Sequence, residues 1–412
     1  MPLTAPLRAR DFRLLWAGMA VSLVGDGVFL VAVAWQAYAI SDTPSAMAYV
    51  GVATSLPQVV LLLAGGAVSD RVPRRRLLLM ADVARAVAVA LLALAVSLGE
   101  ARLWELYAAG AAIGTATAFS SPAFDAVVPE LVPEGALVQA NAIEQFARPF
   151  ALQLVGPALG GICVMAVGAA GSFALDAGTF AFSALCAALM RPLPAPGAAG
   201  HLWREVQEGL RYVRGRVWLW GTFLSATLTY LAFIGPTQVL LPYVVRNTAH
   251  AGASTYGLVL AAGGAGALAG AVAAGLRPQP RRPMPWVYGW WALATLAVAG
   301  YGLATGARGL AASAVVVNGA EAIGTVAWAT VKQRRVPNAM LGRVSSIDWC
   351  ISTALLPLSY ALTAPVAGVL GARGTLVAAG VLGTVTTLAF LLLPGMRATS
   401  EDGAAVVPVI SP

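Results

Sequence analysis

The sequence predicts an all-α polytopic membrane protein, with twelve helices arranged as two sets of six. Three observations carry that prediction. Of 412 residues, 59% are hydrophobic and only 11% charged, with a mean hydropathy of +0.77, whereas soluble domains average about 25% charged residues. The apolar stretches are long enough to cross a bilayer and are separated by short turns rich in Arg, Pro and Gly. The cations also fall almost entirely on alternate turns.

The elements follow in order. A basic segment with Arg8, Arg10 and Arg13 leads into span 1, Leu14 to Ile40, which ends at Ser41-Asp42-Thr43-Pro44. Spans 2 and 3, Met47 to Val68 and Leu77 to Leu98, flank an arginine turn. Span 4 is expected from Trp104 to Ser121, with Pro122 to Asn141 as a polar connection. Spans 5 and 6 cover Ala142 to Val167 and Ser172 to Met190. The stretch Arg191 to Arg216 is the one long linker, and Leu202, Val206, Leu210 and Val213 give it a helix with one apolar stripe. Spans 7 to 12 are Val217–Val245, Ser254–Leu276, Pro285–Thr305, Leu310–Val331, Val344–Leu370 and Thr375–Leu393. The domains expected are thus 1–190, the linker 191–216, 217–394 and a tail 395–412.

Charge fixes the expected orientation. Twenty cations lie on one side: Arg8, Arg10, Arg13; Arg71, Arg74, Arg75, Arg76; Arg191, Arg204, Arg211, Arg214, Arg216; Arg277, Arg281, Arg282; Lys332, Arg334, Arg335, Arg343; and Arg397. Four lie on the other: Arg102, Arg246, Arg308 and Arg373. By the positive-inside rule both termini and the linker are cytoplasmic. An odd number of spans would mix the two sets. The halves echo each other as a parallel repeat would: Val132-Pro133 precedes a span with Gly156-Pro157-Ala158-Leu159-Gly160, and Val336-Pro337 one with Ala364-Pro365-Val366-Ala367-Gly368.

Several function classes are excluded. The net charge of +8 and pI near 9.8 do not indicate nucleic acid, because the arginines sit in turns between apolar spans. The single lysine, Lys332, is followed by Gln333, so no ATP-binding phosphate cradle exists. Cys163, Cys186 and Cys350 lie in apolar spans without paired spacing, and His201 and His250 lie in loops, so no metal, disulfide or cofactor is expected. The first apolar run is too long for a cleavable leader.

A charge at a helix centre costs about 2.5–3.5 kcal/mol on insertion scales, so each acid inside a span needs a reason. Asp82 with Arg85, and Glu144 with Arg148, stand three and four residues apart and can pair on one face. Asp176 and Asp348 fall near expected span ends, within reach of water. Asp26 and Glu321 have neither excuse. They lie 12 and 11 residues into spans 1 and 10, on the order of 17 Å deep in a ~30 Å core. Each belongs to a polar stripe: Ser22, Asp26, Phe29, Val33 and Gln36 in one, Asn318, Glu321, Thr325 and Trp328 in the other. Two readings stay open: a protonated carboxyl hydrogen-bonded between helices, or a cavity-lining proton carrier.

The arginine turn, with Gly66, Asp70, Arg71 and Arg74 in order, resembles the signature loop between the second and third helices of the major facilitator superfamily. Asp11-Phe12-Arg13-Leu14-Leu15-Trp16 and Gly25-Asp26-Gly27 look like its bacterial siderophore and drug exporter branch. Gly156-Pro157-Ala158-Leu159-Gly160-Gly161 resembles the fifth-helix motif of its antiporters. Pro73 and Leu152 stand where those patterns carry glycine. The resemblance implies two six-helix bundles around a central cavity lined by helices 1, 4, 7 and 10, with Trp35, Phe119, Tyr230 and Trp328 as contacts for an amphiphilic solute. It implies a monomeric, proton-coupled exporter of a small organic compound in a bacterial cytoplasmic membrane, with Asp26 or Glu321 carrying the proton. Asp70 would accept hydrogen bonds from Arg74 or face the start of span 11, near Ser345 and Ser346, as a conformational gate. An importer or lipid flippase of the same fold, or a sensor that does not transport, are the alternatives.

Overall fold

The computed structural model describes residues 5–69, 71–133, 136–192, 202–276, 280 and 282–396. Among these, the helices are α1 (Arg10–Ile40), α2 (Pro44–Ser69), α3 (Arg74–Ser97), α4 (Leu103–Leu131), α5 (Leu137–Arg148), α6 (Gly156–Leu189), α7 (Leu202–Arg214), α8 (Val217–Tyr243), α9 (Ala253–Gly275), α10 (Pro283–Leu303), α11 (Ala307–Arg335), α12 (Asn338–Thr353) and α13 (Leu356–Phe390). No strand occurs among the described residues. Helical segments are the expected solution in lipid, because every backbone N–H and C=O must be satisfied within its own segment.

Eight segments are long and apolar enough to cross a membrane. Two of them, Gln139–Leu189 and Met340–Phe390, run for 51 residues each and are each broken by one glycine. Gly168 has φ 71° and Gly371 φ 72°, a left-handed conformation that glycine adopts without a Cβ penalty. Each break turns one long run into two spans. With α4 and α10, this makes twelve spans among the described residues. The fifth span is α5, a π-helical turn at Pro149–Val155 and α6 up to Gly168; the sixth is the rest of α6. The eleventh is α12 with α13 up to Gly371, and the twelfth is the rest of α13.

Helices α1 to α6 pack on one another, as do α8 to α13, and the two groups meet chiefly along α6 with α9 and α2 with α13. The apolar core shows where they are joined. One cluster contains residues of both groups, from Val31, Tyr38 and Phe180 to Phe233, Leu240, Tyr256 and Tyr301. This shared cluster extends to the end that carries the turns at 41–43 and 249–252, where Ile40, Ala249 and Ala251 pack on it. At the arginine-rich end each group has its own cluster: Phe12, Leu15, Leu77 and Val127 in one, Leu219, Phe223, Met284 and Val344 in the other. Among the described residues, a shared apolar cluster therefore joins the halves at one end only. Large apolar side chains such as Val60, Leu91, Met165 and Val369 face outward, as a surface solvated by lipid requires.

Two expectations change. Helix α4 does not stop at Ser121 but continues to Leu131 through Pro122 and Pro129, so the expected polar connection from Pro122 is mostly helix. Proline is tolerated in such helices because neighbours take up the freed groups. Pro122 cannot bond the Ala118 carbonyl, and Gly65 of α2 is the residue packed against that oxygen. The linker helix α7 does not lie loose on a surface either. Its Val213 is buried in the core of the second group, Gly209 sits against Ile347, and Arg343 Nη1 donates to Glu208 Oε2 at 2.8 Å.

Candidate functional site

The two acids singled out by depth lie in two different cavities, where a single shared one was expected. Asp26 lines a cavity of about 250 Å³ enclosed by α1, α3, α4, α5 and α6, together with Ser22, Asp82, Arg85, Ser120, Arg148 and Ser183. Glu321 lines one of about 500 Å³ formed mainly by α8, α10, α11 and α12, to which the first group contributes Asp125 and Gln145. Only the second cavity lies between the halves.

In the first cavity most charges are spent on each other. Arg85 lies 3.5 Å from Asp82 and donates to Thr117 Oγ1 at 3.0 Å and Ser120 Oγ at 2.7 Å. Ser183 Oγ donates to Asp82 Oδ2 at 2.6 Å, and Arg148 pairs with Glu144 at 3.1 Å. Both intrahelical pairings expected from spacing are present. Asp26, by contrast, has no hydrogen-bond or ion-pair partner among the described residues.

The reason Asp26 reaches this place lies in its flanking glycines. A methyl group on Gly25 would run into the Thr179 hydroxyl and the Asp176 carboxylate; one on Gly27 would lie 2.7 Å from Gly156 Cα and 2.9 Å from the Leu152 carbonyl. Gly25 thus seats α1 on the sixth span, and Gly27 seats it on the fifth, the close approach that small residues permit in membranes. This overturns the reading of Asp176. Expected within reach of water, it is 0% exposed, its Oδ2 has no hydrogen-bond partner among the described residues, and its Oδ1 lies against Gly25, the residue before Asp26. The break at Gly168 extends helical structure ahead of Ser172, so Asp176 lies inside the span. Spacing along one helix could not show that two acids on different helices meet; the Gly25-Asp26-Gly27 pattern was the available signal.

In the second cavity, Asp348 is fully engaged. It accepts from Lys332 Nζ at 2.5 Å and Trp328 Nε1 at 3.0 Å, both at Oδ2, and from Ser352 Oγ at 3.2 Å at Oδ1. Glu321 is half-buried and has no partner among the described residues. Thr325 and Trp328, from the stripe of Glu321, and Tyr230, from the family resemblance, line the cavity. Trp328, however, is largely committed to packing: it meets Trp218, Phe223 and Trp291 edge-on or tilted at 5.8, 6.3 and 6.2 Å. Trp291 and Trp349 also line this cavity and were not singled out from the sequence.

Other candidates fall elsewhere. Asn318 lies against Gly263 of α9 and bonds the Ala314 carbonyl at 2.9 Å, outside the cavity wall. Phe29 packs on Phe173 at 5.5 Å. Trp35 lies 5.5 Å from the Arg246 guanidinium, at the joined end, where Gln36 also lies. Phe119 lines neither cavity. Of the fifth-helix motif, Gly156 and Gly160 pack on α1, while Gly161 meets Ser254 of α9 and Pro157 meets Gly257. The motif is therefore the seam on which the two halves touch. Asp70 lies outside the described residues. Arg74 bonds the Glu130 carboxylate and the Ala126 carbonyl at 2.8 Å, both on α4; Arg71 is exposed. Gly66 has open space where a side chain would go.

The family model described as "Transmembrane secretion effector", of the major facilitator superfamily, matches residues 2–408. The chain belongs to this family. It is a multi-pass membrane transporter and not an enzyme. The chain is 28% identical over 391 residues to the enterobactin exporter EntS of Citrobacter koseri, covering 93% of this chain and 90% of that one. It is 28% identical over 240 residues to macrolide efflux protein A of Streptococcus pyogenes, a match that covers 57% of this chain and 58% of that one, under two thirds of its length. Its fold is similar to that of a bacterial homologue of the iron transporter ferroportin, solved in an inward-facing state, with a TM-score of 0.69, 15% identity, and coverage of 94% of this chain and 99% of that one.

Proposed function

We propose that this protein is a proton-coupled exporter of a small organic or amphiphilic compound, working by alternating access in a bacterial cytoplasmic membrane. The relatives named for enterobactin export and macrolide efflux support a solute in the class of siderophores, drugs and natural products. The observation that carries the coupling is the isolation of Asp26 and Glu321. Each is a carboxyl deep in a span, facing a cavity and without a hydrogen-bond or ion-pair partner among the described residues, so each can gain and lose a proton as its surroundings change. Asp176, beside Asp26, belongs to the same proton-handling group.

With the arginine-rich turns on the cytoplasmic side, the halves are closed at the outer face and parted at the inner one. This is the conformation that would load a solute from the cytoplasm. The division at 191–216 separates the two moving bodies, and both termini face the cytoplasm. The transporter works as a monomer and without ATP.

The test is flux in proteoliposomes under an imposed pH gradient. Uptake of a candidate solute into inside-out-oriented vesicles should follow an inwardly acidic gradient and collapse with a protonophore. Gradient-independent equilibration of every transported solute would rule out proton coupling.

A further inference from the structure

We propose that the cavity holding Glu321 takes a lipophilic organic cation, with its charge seated at Glu321 of α11. The inference rests on the transport reading and names the chemical class of its solute.

Four formal charges line this cavity: Asp125, Glu321, Lys332 and Asp348. Lys332 and Asp348 are paired at 2.5 Å, and the remaining capacity of Asp348 is taken by Trp328 and Ser352, so that pair presents no net charge to a solute. Asp125 of α4 is exposed, and Arg148 of α5, the nearby cation of the first group, is paired with Glu144. Glu321 and Asp125 are left without a hydrogen-bond or ion-pair partner among the described residues. Glu321, half-buried within its span, is held there without a counter-charge at a cost, and a cationic solute would supply the missing partner.

The walls suit the same ligand. Tyr230, Phe233, Trp291 and Trp349 border the space, and aromatic faces attract organic cations while offering apolar area to the rest of the molecule. The volume, about 500 Å³, falls within the ~300–1,000 Å³ of pockets that hold drug-sized molecules. An anion of equal size would meet two carboxyls and no unpaired cation. The two acids stand on opposite halves, both bordering the space a solute would occupy.

The experiment uses two ions of nearly equal shape and opposite charge, tetraphenylphosphonium and tetraphenylborate. Their equilibrium binding is measured on the purified full chain in lipid nanodiscs, with protein-free nanodiscs subtracted. The phosphonium should bind saturably and the borate should not. Glu321→Gln should weaken phosphonium binding roughly tenfold or more, Asp125→Asn should weaken it less, and Glu321→Asp should restore most of it. Equal binding of the two ions, preference for the borate, or wild-type affinity in Glu321→Gln would overturn the proposal. The charge preference of the wild-type chain decides the matter even if the glutamine variant does not fold. Phosphonium binding without gradient-driven flux would leave this inference standing and sink the transport reading; flux of neutral or anionic solutes without phosphonium binding would do the reverse.

Discussion

The Tyr38 hydroxyl of α1 donates a hydrogen bond of 2.6 Å to the Val239 carbonyl of α8, and so ties the two halves together at the end away from the arginines. The two residues stand 201 positions apart. Tyr243 lies 5.6 Å from the Tyr38 ring, and Asn247 donates to Asp42 at 2.9 Å just beyond. These contacts hold the closed end shut. Tyr38→Phe removes one hydrogen bond and leaves the ring, at a cost of about 1 kcal/mol, or roughly fivefold in the ratio of closed to open forms. Distance measurements between spin labels on Ser41 and Thr248 should show a larger separated population in the variant. An identical distribution would mean that the bond contributes nothing to closure.

Asp26→Asn and Glu321→Gln separate the two carboxyls functionally. Because they lie in different cavities, Asp26→Asn should abolish pH-driven accumulation while solute binding stays near wild type, and Glu321→Gln should reduce both. The checks are solute binding and gradient-driven uptake in the same proteoliposome preparation. Retention of gradient-driven uptake by the double variant would remove both residues from the coupling mechanism.

Glycines of similar appearance should behave differently. A methyl on Gly27 meets the backbone of Gly156 and Leu152, which cannot yield as a side-chain tip can. Gly27→Ala should therefore destabilise the protein by about 1–3 kcal/mol, seen as a lower thermal unfolding midpoint. Gly66→Ala meets nothing within 4 Å and should unfold like wild type. If Gly66→Ala nevertheless slows transport, the space it fills is needed in the form closed at the arginine-rich end.

The arginine turn has its own test. Arg74 bridges α3 to Glu130 of α4, so Arg74→Ala and Glu130→Gln should each slow turnover modestly, with little loss of folded protein, while Asp70→Asn slows it more. The readouts are transport rate and the distance between labels at the arginine-rich ends of α2 and α12. Normal transport in Asp70→Asn, with an unchanged distance, would leave the turn as a topology anchor only.

Orientation can be checked directly. In a background without Cys163, Cys186 and Cys350, single cysteines at Ser41 and His201 should label from opposite sides of the membrane. Labelling from the same side would sink the twelve-span topology.

The sequence by itself determined the class and the outline. Hydropathy, cation asymmetry and the arginine turn are local or one-dimensional signals, and lipid leaves helices as the economical way to satisfy the backbone. The intrahelical pairs Asp82–Arg85 and Glu144–Arg148 were legible for the same reason: three- and four-residue spacings are fixed by the helix itself. The tertiary structure alone decided what faces what across helices. Spacing put Asp26 and Glu321 at similar depth, yet the glycines at 25 and 27 turn Asp26 into the first bundle, against Asp176. Asn318 shares a stripe with Glu321, yet a neighbouring glycine on α9 receives it. Asp125 lay in a stretch read as a polar connection, whereas α4 continues through it to Leu131, packed against α2 and α3. A helical stripe states which residues share a face. Which wall that face meets is set by close packing with helices hundreds of residues away, and no periodicity encodes it.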